Sequence, residues 1–398
     1  MRLLQINHLY SPVGGSETYL LTVLPALQRA GVEVAIIYCQ LTGQEFATGQ
    51  WPEIYLPALW RECGLPHQER KRLLLTEIER FNPDLIQINN LDEPIIVEWL
   101  CQSRPTVQLV HAQYPISCPG NAKFIAKGRE ICQRAVGPFC LIAPYLQRCG
   151  SLRPWFHLPR YFRAKNYLKA MTGLRRIIVA SNYMRAEMLL NGIPTEKVVV
   201  VPLPGQHQDI EVTFNNSSSC PIVLFGGRLT DQKGGDLLLA SLAQVQTSCQ
   251  LVIVGDGAQR SLLEDLAGNL PERHQVHFTG WLKREELDSW YRRATVVAVP
   301  SVWAEPFGLM GLEAMAHAKP IVAFDRGGIG EWLENGVNGF LVAAKDTRAF
   351  AAALDRLLSD LAQAHKMGLA GYALLKEKFS LSRHIARLME IYQTALGG

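Results

Sequence analysis

An α/β fold with two parallel sheets, one in each of two domains, is what this 398-residue sequence predicts, on three observations. Short apolar runs alternate with helix-period segments from end to end. The alternation breaks once, around Pro202–Pro221, and then restarts. A glycine pair follows the first strand of each half, at Gly14-Gly15 and at Gly226-Gly227. Length agrees, because a chain of this size exceeds one comfortable core.

In the first half, Arg2–His8 is a short apolar strand, 13–17 a Gly-rich turn, Thr18–Ala30 a helix, and Gly31 introduces the strand Val34–Tyr38. Further strands are expected at Leu85–Asn89, Val107–His111, Ile177–Ala180 and Val198–Val201, with helical stretches between most of them. The run Asn215-Asn216-Ser217-Ser218-Ser219 is too polar to bury, so 206–220 reads as a linker. After it the sequence predicts strand Ile222–Phe225, helix Gly234–Gln246, strand Leu251–Val254, helix Gln259–Leu270, strand Val276–Thr279, helix Arg284–Arg293 and strand Val296–Val299. A helix from Leu309 to Ala318, strand Ile321–Phe324 and a helical tail complete the expectation. Residues 1–205 and 221–380 thus form two Rossmann-like domains. Ligands of open parallel sheets bind beyond the carboxyl ends of the strands, so two such domains facing each other would make a cleft.

Composition narrows the class. Hydrophobic residues make up 48% and charged residues 19%, as in ordinary globular chains, and no apolar run approaches the roughly 18 residues of a spanning helix. The early apolar run Tyr19–Leu27 follows Gly-Gly-Ser-Glu rather than a basic segment, so a cytoplasmic protein is expected. Nine Cys then argue for reduced thiols. Cys118, Cys132, Cys140 and Cys149 crowd one segment and could hold a structural zinc, although they lack the close Cys-x-x-Cys pairs that preorganise such a site. Residues 1–205 carry about seven more basic than acidic side chains, within a net charge of +4. The excess concentrates in 148–176, where Arg148, Arg153, Arg160, Arg163, Lys165, Lys169, Arg175 and Arg176 stand without an Asp or Glu. Trp155, Phe156, Tyr161, Phe162 and Tyr167 are interleaved with them. Such a segment suits an anionic membrane surface; the plain alternative is a solvated basic helix whose aromatics pack inward. No nucleic-acid module accompanies the charge, so no nucleic-acid partner is expected.

The stretch Trp303–Val342 carries the sharpest chemistry. Glu305 precedes Pro306, which biases it away from helix, and Gly308 permits a tight backbone before the helical run from Leu309. Glu313 then sits about one turn inside a helix that begins beside Glu305. Free N–H groups at that helix start attract an anion, and two carboxylates accept hydrogen bonds, so together they suit a polyhydroxylated, phosphorylated ligand. Gly226-Gly227-Arg228 ends the first strand of the second half, and Lys233-Gly234-Gly235 opens the next helix. Strand-end glycines let the backbone approach a phosphate, Arg228 offers a planar fork and Lys233 a point charge. No Asp-x-Asp occurs, so fixed cations rather than a metal are the expected partners of a diphosphate.

The two glutamates eight apart, with Pro-Phe-Gly-Leu between them, and the Gly-Gly-Arg-x-x-x-x-Lys-Gly run resemble the signatures of retaining family 4 glycosyltransferases, of GT-B architecture. The resemblance spans essentially the whole chain; it is strong over 221–342 and weak before. It implies a retaining hexosyltransferase that needs no metal or other cofactor. The donor would be a UDP- or GDP-sugar and the acceptor an unknown glycan, lipid-linked or small-molecule hydroxyl. Cell-envelope or exopolysaccharide biosynthesis would be its setting, peripheral on the inner face of the membrane, and helix 381–398 would cross back to the first domain. It further implies catalytic roles for Arg228, Lys233, Glu305 and His111. Donor contacts would come from Gly14, Gly15, Gly227, Arg228, Lys233, Gly255, Thr279, Trp281, Glu305, Phe307, Gly308, Leu309 and Glu313. Glu313 would take the ribose, Glu305 the transferred sugar, and backbone around Thr279 to Leu282 the base. Gly327-Gly328 with Glu331 reads as scaffold. Residues 40–80 and 112–176 offer no residue-by-residue match to the family and would line the acceptor side. Three readings compete: a non-catalytic nucleotide-sugar or carbohydrate-binding protein, a glycoside phosphorylase, and a membrane-docked or zinc-bearing scaffold.

Overall fold

In the computed structural model of the protein, which describes residues 1–11, 15–41, 48–113, 116–120, 122–205 and 220–397, strand and helix alternate through two compact units. Residues 1–128, 132–202 and 381–398 form one; 129–131 and 203–380 form the other. The expected linker lies, Cys220 apart, outside the described residues.

In chain order the first unit begins with β1 (Arg2–Asn7), α1 (Gly15–Arg29), β2 (Glu33–Tyr38), β3 (Glu53–Tyr55), α2 (His67–Phe81), β4 (Leu85–Asn90), α3 (Pro94–Ser103) and β5 (Thr106–Val110). Two short strands follow, β6 (Phe124–Ile125) and β7 (Glu130–Ile131), the latter grouping with the second unit. Then come α4 (Ala143–Gln147), α5 (Pro154–Met171), β8 (Arg176–Val179), α6 (Asn182–Leu190) and β9 (Val198–Val200). The sheet order is β3-β2-β1-β4-β5-β8-β9, all parallel. Helices cover a parallel sheet on both faces, so its strands are apolar without alternation. Leu3, Leu4, Ile6, Ile36, Ile37, Ile86 and Ile88 accordingly have no exposed surface.

Polar side chains buried in that sheet are linked in a chain, although Gln5 Nε2 has no partner among the described residues. Tyr392 donates to Gln87, Gln87 Nε2 donates to Asn89 Oδ1 at 2.9 Å, and Asn89 Nδ2 donates to Gln5 Oε1 at 2.7 Å. Tyr392 lies on the last helix of the chain, so the C-terminal tail completes a network that begins on the first strand.

The second unit contains β10 (Ile222–Gly226), α7 (Gly235–Leu242), β11 (Cys249–Val254), α8 (Arg260–Ala267), β12 (His274–Gly280), α9 (Arg284–Arg293), β13 (Val296–Val299), α10 (Leu309–Ala316), β14 (Ile321–Phe324), β15 (Gly339–Val342), α11 (Thr347–Ser359) and α12 (Leu361–Lys378). The last helix, α13 (Leu381–Leu396), belongs to the first unit. The sheet order is β12-β11-β10-β13-β14-β15, again all parallel. Chain order reverses between β10 and β13, and a doubly wound sheet opens its ligand crevice at such a switch point.

Several boundaries differ from expectation. α7 stops at Leu242 and α8 at Ala267, each a few residues early, because the polar segments that follow turn back to feed β11 and β12. His111 lies one residue beyond β5 rather than inside it. β3 (Glu-Ile-Tyr) and β15 (Gly-Phe-Leu-Val) escaped because each opens on a residue disfavoured in strands and neither carries a run of four apolar residues. Among the described residues no helix is long and apolar enough to cross a membrane.

α10 and α12 pack closely at Gly368. A Cβ there would lie 1.9 Å from the Ala318 carbonyl oxygen. Glycine inside a helix ordinarily costs about 1 kcal/mol against alanine. Here that preference inverts: Gly368→Ala is expected to destabilise by about 1–3 kcal/mol through overpacking, read as a lower urea midpoint at unchanged slope.

Candidate active site

The switch point of the second sheet brings two loops together. β10 delivers Gly227 and Arg228, a short helical turn at Asp231–Lys233 follows, and β13 delivers Pro300 to Glu305. Lys233 and Glu305 are 72 residues apart, yet Lys233 Nζ donates to Glu305 Oε1 at 2.6 Å. Ser301 Oγ donates to the same oxygen at 2.9 Å. Burial alone would push the Glu305 carboxyl up, but the Lys233 charge and hydrogen bond outweigh it and hold the group below the usual carboxylate range. Glu305 is therefore ionised and 5% exposed, and Lys233 stands 5.3 Å from the centre of the Trp303 ring. Gly328 N–H donates to the Glu305 carbonyl at 2.8 Å, a scaffold contact of the kind expected of that glycine pair.

Arg228 is exposed and makes no ion pair with any described residue. The cations thus differ. Lys233 arrives half-compensated by Glu305, and Arg228 has no ionic partner among the described residues. Beside them the β10 and β11 loops touch backbone to backbone, and a Cβ on Gly255 would lie 2.0 Å from the Gly227 carbonyl oxygen. The approach of the two loops accounts for Gly255 without any ligand. Residues 129–131 add to this unit: Arg129 pairs with Asp236 at 2.7 Å and with Asp231 on the turn that carries Lys233.

Glu313 lies on α10, whose first residue follows Gly308, and no side chain caps that end. The first turn therefore offers backbone N–H groups. Both Glu313 oxygens are already engaged: Arg284 Nη1 donates to Oε1 at 2.8 Å and Tyr291 OH donates to Oε2 at 2.9 Å. Arg284 also pairs with Asp288 at 3.1 Å, and the Tyr291 ring stacks on His317 at 4.9 Å. Each carboxylate oxygen keeps a second lone pair, so Glu313 is a positioned acceptor. Sequence reading missed Arg284, Tyr291 and Ser301. Arg284 and Tyr291 sit in a charged helix where nothing local separates a functional arginine from a solvated one.

The remaining expected residues divide. Phe307 is 1% exposed and packs on Phe379 at 5.8 Å, and its carbonyl accepts from Trp332, so its side chain is core. Leu309 opens α10. Thr279 Oγ1 donates to the Gly280 carbonyl at 2.9 Å, and Trp281 is 65% exposed. In the first unit Gly14 lies outside the described residues, Gly15 is the exposed first residue of α1, and Glu17 beside it accepts from Ser16 Oγ at 2.9 Å.

His111 meets the Tyr19 ring edge-on at 5.2 Å, and its Nε2 is shut from solvent with no partner among the described residues. Tyr19 OH lies 2.9 Å from His384 Nε2, and His384 Nδ1 lies 2.8 Å from the Pro202 carbonyl. A carbonyl only accepts, so His384 carries its proton on Nδ1 and Nε2 accepts from Tyr19. Desolvation, helped by His384, pulls His111 down to about 4; desolvation, opposed by the Pro202 carbonyl, does the same to His384. Both rings are neutral near pH 7.

Among the described residues no group of three or more His, Cys, Asp or Glu is arranged to hold a metal ion, and Cys118, Cys132, Cys140 and Cys149 are free thiols. They are neighbours nonetheless, since burial and then the other three thiols push Cys149 up to about 12. Without close Cys-x-x-Cys pairs, spatial nearness does not become a tetrahedral set.

Residues 13–204 match the family described as Glycosyltransferase Family 4, and residues 208–374 match Glycosyl transferases group 1. Together these account for both units, and the chain belongs to the glycosyltransferases of this family-4-like, GT-B group. An uncharacterized glycosyltransferase of Methanocaldococcus jannaschii is 33% identical over 239 residues, covering 54% of this chain and 60% of that protein. The chain spans less than two thirds of the length of the curated relatives it matches first. In fold it is similar to sucrose-phosphate synthase from Thermosynechococcus elongatus, with a TM-score of 0.74 at 21% identity, covering 100% of this chain and 99% of that one. It is also similar to Anabaena HepE solved with UDP and glucose, with a TM-score of 0.71 at 18% identity, covering 98% of each chain.

The buried histidines set a pH dependence. A histidine whose folded pKa is depressed resists protonation only in the folded state, so its stabilisation is complete above about pH 6.5 and is lost as pH falls toward 4. For His384 the loss should reach about 3 kcal/mol, and His384→Gln should flatten the fall in stability between those limits. Urea unfolding at several pH values checks this.

Proposed function

We propose that the protein transfers a hexosyl group from a nucleotide-diphosphate sugar, UDP- or GDP-linked, to an acceptor hydroxyl with retention at the anomeric carbon and without a divalent ion. The observation that carries this reading is the Lys233–Glu305 pair at the carboxyl ends of adjacent strands, with Arg228 on the loop after β10 and without an ionic partner among the described residues. In the reaction the bond from the anomeric carbon to the diphosphate oxygen breaks, its electron pair leaving with the diphosphate. The acceptor oxygen forms the new bond on the same face, and its proton passes to a phosphate oxygen of the leaving group. Negative charge grows on that group, and Arg228 with the two remaining Lys233 protons stabilises it, a role in which fixed charges contribute strongly. Glu305 orients Lys233 and turns its second oxygen to the transferred sugar. Glu313 accepts from the ribose, and amides at the start of α10 serve the phosphates.

His111, neutral at working pH, offers a hydrogen bond rather than a charge, and Gly14 and Gly15 keep their role as a phosphate-approaching turn. The likeness to a fold solved with UDP and glucose supports a nucleotide-sugar donor. We further infer that the acceptor belongs to cell-envelope or exopolysaccharide assembly and that the protein works at the inner membrane face, which the cationic 148–176 segment supports.

Arg228→Ala is expected to lower donor turnover by about 10²–10³ with the fold intact, and the loss should persist in chelator. Retained turnover would remove the cation pocket, and turnover that requires inorganic phosphate would indicate a phosphorylase. Separately, Arg284→Met and Tyr291→Phe should each weaken UDP or GDP binding about tenfold and leave pyrophosphate binding unchanged. Calorimetric titration distinguishes the two ligands, and equal losses for both would move Glu313 off the ribose.

A further inference from the structure

Eight of the nineteen large apolar side chains that stand exposed among the described residues fall between Ile142 and Phe162. Single exposed apolar residues are ordinary, but such a concentration marks an interaction surface. Helical spacing sorts the residues of α5. Tyr161, Ala164, Tyr167 and Ala170 form the inner stripe, each 5% exposed or less, and Gln108 Nε2 donates to Tyr167 OH at 2.8 Å. The outer stripe runs Trp155, Leu158, Phe162, Lys165, Lys169, at spacings of three and four. Trp155, Leu158 and Phe162 are 68%, 46% and 54% exposed, and both lysines are exposed. α5 therefore presents a ridge that is apolar in its first turns and cationic in its last.

Charge identifies the occupant. No Asp or Glu occurs between Glu130 and Glu187. Arg163 is tied to Asp92 at 3.3 Å, but Arg148, Arg153, Lys165, Lys169 and Arg175 are exposed with no ion pair to a described residue. Protein interfaces are depleted in lysine, whereas Trp and Phe beside Lys and Arg suit the headgroup zone. A second copy would set these cations against their own kind.

We propose that this ridge docks the protein on an anionic phospholipid bilayer, with Trp155, Leu158 and Phe162 among the headgroups and Lys165, Lys169 and the flanking arginines on lipid phosphates. It deepens, and rests on, the membrane position inferred under the proposed function, naming the face and the lipid chemistry. The test is co-sedimentation of the full chain with phosphatidylcholine vesicles, with and without phosphatidylglycerol. Binding is expected only with the anionic lipid and should weaken as salt rises. Lys165→Gln and Lys169→Gln should each lower partitioning about fivefold, and the double variant Trp155→Ser/Phe162→Ser at least tenfold. Melting temperatures should be unchanged, since all four side chains are exposed. Wild-type protein that ignores anionic vesicles, or variants that bind as the wild type does, would overturn the proposal. So would a concentration-dependent dimer, without vesicle binding, that the double variant dissolves. Donor turnover measured without vesicles keeps the readings apart: an active protein indifferent to lipid removes this proposal together with the membrane position it rests on and leaves the transferase reading, and a lipid binder without turnover removes the transferase reading alone.

Discussion

The second unit depends on one ion pair. Lys233 and Glu305 sit on loops from β10 and β13, which are adjacent only because the strand order reverses between them. A buried carboxylate without a partner would protonate, since desolvation opposes its charge. The ammonium prevents this, and Glu305 in turn holds the ammonium at the strand ends. Such a pair yields little net stability, because desolvation consumes much of the Coulombic gain, yet removing one member typically costs about 3–5 kcal/mol. Lys233 is 28% exposed, so water screens part of that cost. What the pair fixes is position. An ammonium held at one point needs little reorganisation when a polyanion arrives.

The same logic explains why the two glutamates are not equivalent. Glu305 is bound to a lysine and a hydroxyl at the strand ends, Glu313 to an arginine and a phenol on α9. Two carboxylates eight residues apart thus occupy different electrostatic surroundings, each held in one orientation by groups from elsewhere in the chain.

Legibility in the sequence followed the strength of local signals. The bounds of α9, β13 and β14 were readable from local pattern, because strongly patterned segments leave few alternatives. β3 and β15 were not, since each opens on Glu or Gly and lacks the unbroken apolar run of β13 and β14. The site was half legible. Glu305, Glu313, Arg228 and Lys233 stood out through their glycine- and proline-rich settings, which signal special backbone. Arg284 and Tyr291 reach Glu313 from another helix, 29 and 22 residues away, and Ser301 meets Glu305 within one irregular loop, so none of the three contacts leaves a periodic pattern to read. The α5 aromatics show the same limit: Tyr161 and Tyr167 pack inward while Trp155, Phe156 and Phe162 face out. Composition is blind to which side of a helix a ring occupies.

The first unit is discontinuous in sequence, and polar burial explains why it includes the tail. Gln5, Gln87 and Asn89 are all 2% exposed or less, and an amide left unpaired there would cost about 1–3 kcal/mol. Tyr392 ends that chain of hydrogen bonds, and His384 ends another that runs through Tyr19 beside His111. α13 also covers the unit with Ile385, Leu388 and Ile391, each 7% exposed or less. Withdrawing the helix would expose that apolar stripe, orphan the amides of the sheet and leave Tyr19 without its acceptor. The tail is therefore part of the folding unit that holds His111, although 273 residues of sequence separate His111 from His384.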